Sequence, residues 1–165
     1  TPKLGYVTGY RSSIATLSYR GDYSAFDSAS SEDYNDHYFV GDLNLDLTKK
    51  LDVNLNALYS DAHDRRGRDR VNLSTTPDRW KEWALGGEAI YGRRTQKGQI
   101  AVGLKYLDRW YLNNNQDSRD RTTWEGKGIF FYNLGPKTQL LAELTYITTD
   151  YEKDFFDNGY RLDSD

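Results

Sequence analysis

The chain has no cysteine and no methionine, and it holds only 3 prolines and 2 histidines among 165 residues. Without cysteine, disulfide staples, thiolate nucleophiles and Cys-ligated metal centres are all excluded, and the redox compartment stays open. The lack of methionine, an initiator included, leads us to expect a processed or excised segment. Long apolar runs are missing too, and a mean hydropathy of −0.86 leaves no room for a membrane-spanning helix. Neither charge sign dominates: 22 Lys+Arg against 25 Asp+Glu give a net charge of −3. The signs are interspersed, which argues against a nucleic-acid partner, since such a surface needs clustered positive charge. The length fits a single domain, 1–165.

Aromatic residues are abundant: 14 Tyr, 4 Trp and 6 Phe accompany 14 Gly. Disordered polar chains are poor in aromatics, so this mixture points to ordered strands. The dominant period is two. Leu43, Leu45 and Leu47 alternate with Asp42, Asn44 and Asp46; after Thr48-Lys49-Lys50, Leu51, Val53, Leu55 and Ala57 alternate with Asp52, Asn54 and Asn56. This reads as a hairpin with one face toward an apolar medium and the other toward water or a polar interior. The pattern recurs at Ala15–Tyr19, Trp83–Tyr91, Ile100–Tyr106, Trp124–Leu134 and Leu140–Tyr146, and a shorter strand opens the chain near Leu4. About eight strands result.

Connections alternate in length. Short turns are expected near Gly9–Ser13, Thr48–Lys50, Gly92–Gly98 and Gly135–Lys137, and long polar loops at Asp27–Asp33, Asp61–Arg79, Leu112–Arg121 and from Asp150 onward. One tight rim and one with long loops is the arrangement of an outer-membrane barrel. Tyr19, Tyr59, Tyr106 and Tyr146, at spacings of 40, 47 and 40, each close the apolar face of a strand before a long loop. A period near 40 also suits propeller blades, but a blade holds four strands per repeat and this unit holds two. With Trp83 these tyrosines are expected to form an interfacial girdle, apolar in body and wet at the tip.

Gly21-Asp22-Tyr23-Ser24, Ser30-Ser31-Glu32-Asp33-Tyr34-Asn35-Asp36-His37 and Leu134-Gly135-Pro136-Lys137-Thr138 resemble the putative β-barrel porin 2 family, as does Tyr146-Ile147-Thr148-Thr149-Asp150-Tyr151. The resemblance implies a Gram-negative outer-membrane barrel associated with exopolysaccharide secretion. Members are usually longer, so it also implies part of a larger barrel.

The expected fold is therefore all-β, an antiparallel up-and-down transmembrane barrel. Its pore-lining set is Arg20, Asp42, Asn44, Asp46, Asp52, Asn54, Asn56, Glu88, Lys105, Arg109, Glu125, Lys127 and Glu143, with Asp22 beside them. Eight strands enclose only enough space for side chains, and so many charges in a dry interior would demand near-complete pairing, whereas a wider barrel leaves them wet. The expected function is a passive conduit for exopolysaccharide or another hydrophilic solute. Its partners would be the bilayer with its lipopolysaccharide, the solute and a periplasmic export protein, and no cofactor or metal is expected.

Two other classes stay open. One is an outer-membrane hydrolase or acyltransferase using Asp61, His63 and Asp64, with Ser60 a weak nucleophile hint; no third ligand is spaced to make these a metal site. The other is a soluble lipocalin-like or sandwich binding protein whose leucine face is its core. The Asp64-Arg65-Arg66-Gly67-Arg68-Asp69-Arg70 cluster could hold anionic groups through Arg forks, and Trp80, Trp83, Trp110 and Tyr111 could stack on sugar rings.

Overall fold

The computed structural model describes residues 1–27, 33–64, 76–93, 97–135 and 138–153, with the backbone of 156–157 and 160–161. Eight strands form one sheet: β1 (Lys3–Tyr10), β2 (Ser13–Ser24), β3 (Tyr34–Asp46), β4 (Leu51–Asp64), β5 (Asp78–Gly92), β6 (Gly98–Tyr111), β7 (Arg121–Gly135) and β8 (Thr138–Tyr151). Each pairs antiparallel with its sequence neighbours, in the order β1-β2-β3-β4-β5-β6-β7-β8. A separate two-stranded ribbon of β9 (Phe156–Asp157) and β10 (Tyr160–Arg161) follows. The sheet is not closed: β1 and β8 keep a free outer edge.

The strand count and up-and-down order agree with the alternating pattern. Strand ends differ on the long-loop side. β4 runs on to Asp64 and β5 begins at Asp78, so Asp61, His63 and Asp64 are strand residues where a loop is expected, and His37 lies within β3. Asp64 pairs directly with Asp78 and His63 with Arg79. The alternation signal fails there because both faces are polar. β3 to β8 are 13 to 15 residues long, more than the roughly 9–11 a tilted strand needs to cross a bilayer. The surplus lies beyond the tyrosines, toward the long loops.

Among the described residues there is no conventional core. The buried apolar residues are Ala62, Ala84, Ala101 and Tyr111, while Leu4, Leu17, Leu85, Leu104 and Leu144 are exposed, the last at 76%. Among the described residues no second layer covers the leucine face, contrary to the soluble sandwich alternative.

The tight turns have local causes. Thr48 Oγ1 accepts from the N–H groups of Lys50 and Leu51 at 3.2 and 3.0 Å, replacing ladder partners in the β3–β4 turn. At the end of β5, Gly92 has φ +91°, and a Cβ there would lie 2.5 Å from the Gly98 carbonyl oxygen. Gly92→Ala is therefore expected to destabilise by about 1–3 kcal/mol. Gly128→Ala, with nothing within 4 Å of its added Cβ, should be near neutral. Urea unfolding of both variants in lipid vesicles checks this; equal midpoints would refute the strain argument.

Candidate functional site

Side chains alternate across a sheet, so the register assigns every residue to a face. Along the hydrogen-bonding direction Thr16, Asp42, Asn56, Gly86, Lys105 and Glu125 are successive neighbours, followed by Ile147 on β8. The next row, two residues nearer the short turns, holds Asn44, Asn54, Glu88, Gly103 and Lys127; beyond it lie Asp46 and Asp52. Arg20, Arg109 and Glu143 occupy the same face, so all thirteen residues expected to line a pore are on one side. Asp42, Asn44, Asn54, Asn56, Glu88, Lys105, Glu125 and Lys127 converge further, around an open groove of about 500 Å³.

Glycine gives this groove its depth. A Cβ on Gly86 would fall 2.0 Å from Asn56 Oδ1, so only glycine lets the amide lie across β5. Asn54 donates to Glu88 at 3.4 Å, and Lys127 pairs with Glu143 at 2.9 Å. Nearer the long loops Arg109 pairs with Glu82 at 2.5 Å and covers the Trp80 ring at 4.1 Å, while Arg20 pairs with Asp22 at 3.2 Å and covers Tyr38 at 4.2 Å. These polar contacts are spread along the face and do not converge on one reactive atom.

The other face carries the aromatic residues. Tyr19, Phe39, Tyr59 and Trp83 form one cross-strand row, with ring centroids 4.8, 6.2 and 4.6 Å apart. Trp83 is opposite Asp108, and the row resumes two residues nearer the short turns with Tyr106 and Trp124, 4.7 Å apart. It steps again to Tyr146, opposite Gly126. Such stepping is the stagger that tilted strands need if aromatics are to stay at one height. Phe39 and Trp124 complete the row but are absent from the expected girdle. Phe39 hides beside Tyr38, because β3 carries aromatics on both faces; Trp124 stands out only once its register with Tyr106 is known.

At the long-loop end Asp61, His63 and Asp64, the residues of the alternative hydrolase reading, are not brought together. His63 Nδ1 bonds Asp36 at 2.8 Å and its ring packs on Tyr34 at 4.2 Å; Asp61 pairs with Arg79 and Lys81; Asp64 accepts from Trp80 and Tyr111. The three residues enter three separate networks, and Ser60 is buried on the polar face of β4. No cluster of His, Asp and Glu among the described residues could hold a metal ion.

The segment between β6 and β7 is anchored at this end. Arg119 spans the two opposed carboxylates, 3.1 Å from Asp64 and 3.3 Å from Asp78, with its guanidinium 4.3 Å over Tyr111. Asn114, with φ 59°, donates to Asp78 at 2.7 Å, and Asn113 accepts from the Arg79 N–H at 2.7 Å. Burial raises the Asp120 carboxyl above its usual range, opposed by the bond it accepts from the Tyr111 N–H, and Lys153 lowers that of Asp117. Trp80 and Tyr111, considered as sugar platforms, each have one ring face covered by a guanidinium. The Arg65–Arg70 part of the charged cluster lies outside the described residues.

Three comparisons bear on this arrangement. None of the curated proteins or solved structures compared with the chain is a match. The family model described as putative β-barrel porin 2 matches residues 1–165, the whole sequence. The antiparallel up-and-down sheet is consistent with that match, and the chain belongs to the putative β-barrel porin 2 family.

Proposed function

We propose that the sheet is one wall of a wide outer-membrane channel that passes hydrophilic solutes, with exopolysaccharide as the exported polymer. The single observation that carries this reading is the two-sidedness of the sheet. Large apolar side chains are exposed along one face from Leu4 to Leu144, and the groove of Asn, Asp, Glu and Lys occupies the other. Hydrocarbon would cover the first and water fill the second. The free edges of β1 and β8 would be paired by further strands, which widens the lumen enough to keep the wall hydrated.

Transport of this kind needs no bond chemistry. Asn44, Asn54 and Asn56 offer weak, replaceable hydrogen bonds to a hydroxyl-rich polymer, and conduction requires binding loose enough to release. Lipopolysaccharide would surround the barrel, and a periplasmic export protein would deliver the polymer at the short-turn rim.

Liposome swelling tests the proposal. Vesicles carrying the protein should swell in isosmotic arabinose, raffinose and stachyose, with rates falling as the solute grows. Swelling no faster than in protein-free vesicles would refute a channel.

A further inference from the structure

The carboxylates of the polar face differ in how they are compensated. Toward the long loops each has a cation or an imidazole: Asp22 has Arg20, Glu82 has Arg109, and Asp36 has His63. In the groove and toward the short turns the ledger changes. Lys127 is engaged by Glu143 at 2.9 Å, and Lys105 stands directly opposite Glu125 in the register. Lys105 and Lys127 are outnumbered on this stretch of the face by Asp42, Asp46, Asp52, Glu88, Glu125 and Glu143. Asp42, Asp46 and Asp52 have no ion pair among the described residues, whereas Glu88 accepts from the Asn54 amide and lies within electrostatic reach of Lys127.

Asp46 and Asp52 also face each other across the β3–β4 ladder, where like charges repel, and Asp52 Oδ1 is buried without a hydrogen-bond partner. The excess charge is thus negative and spread along the wall beside Asn44, Asn54 and Asn56. Low-dielectric walls focus such a field into the water beside them.

Resting on the channel reading above, we infer that the conduit is cation-selective, with Asp42, Asp46 and Asp52 as the residues that set the preference. Its solutes are hydrated cations and uncharged, hydroxyl-rich molecules; polyanions are disfavoured. Carboxylates strung along a strand act by raising the local concentration of counter-ions, without a binding site for any one of them.

Reversal potentials in planar bilayers test this. With the protein between 0.1 and 1 M KCl, potassium should permeate in preference to chloride, on the order of threefold or more. The preference should shrink when the gradient is set instead between about 1 and 3 M KCl, where the screening length is about 3 Å or less rather than about 10 Å. Asp42→Asn, Asp46→Asn and Asp52→Asn combined should move the ratio at least about halfway to unity. Asp61→Asn, on the opposite face, should leave it unchanged. The salt series needs no variant, so it decides even if the triple variant does not fold. Conductance with chloride preference, or a ratio the triple substitution does not move, overturns the inference and leaves the channel standing. No conductance at all overturns the channel reading and this inference with it.

Discussion

Leu55→Arg is expected to destabilise the protein by about 2–4 kcal/mol, while Asn54→Arg, one residue away, should change stability little. Leu55 is 44% exposed, opposite Leu43 on β3 and Gly87 on β5, midway between the Tyr59 row and the β3–β4 turn. If hydrocarbon covers that face, a guanidinium there must snorkel or thin the bilayer. Asn54 points into the groove beside Glu88, where an added cation meets water and a carboxylate. Both changes add the same charge to the same strand, so their difference isolates which face is wet. Urea unfolding of each variant in vesicles gives the two values. Equal losses would mean that the face assignment fails, and with it the bilayer as the medium against the leucines.

How far the sequence could be read depends on how local the cause is. Leu43, Leu45, Leu51, Val53 and Leu55 could be placed because apolar and polar residues alternate without interruption, and a shift of one would reverse every side chain. The thirteen polar-face residues follow from the same parity. Past Tyr59 the rule loses its grip. Asp61 and His63 on one face and Ser60, Ala62 and Asp64 on the other offer no contrast, so a loop is the natural reading although the ladder continues to Asp64. Partners at the loop end are unreadable for another reason. Asp36 meets His63 across 27 positions and Arg119 reaches Asp64 across 55, and no spacing along a chain encodes a contact made by strand register and a folded-back connection. The stepped aromatic row lies between these cases: its tyrosines stand out by period, and its steps need the pairing of Trp83 with Asp108.

That folded-back connection carries the second large effect. Asp64 and Asp78 are cross-strand neighbours of like charge, and Asp78 is only 6% exposed. Such a pair opposes β4–β5 pairing unless a cation sits between them, and Arg119 does so from the β6–β7 segment while covering Tyr111. Arg119→Ala is expected to destabilise by about 2 kcal/mol, below the 3–5 kcal/mol of a fully buried pair because the arginine side chain is 30% exposed. Asp78→Asn in the Arg119→Ala background should restore part of the loss, since it removes the repulsion the arginine was relieving. A contact that only positioned the loop would give additive losses. Urea unfolding in vesicles measures all three variants, and amide exchange localises the effect. Faster exchange should appear at Tyr111 and at Arg79, whose N–H groups bond Asp120 and Asn113, while the Asn54 region on the same β4 strand stays protected. Additive losses, or exchange rising evenly along β4, would mean that Arg119 is ornamental to the rim and that the bonds from Trp80, Tyr111 and Asn114 suffice to accommodate Asp64 and Asp78.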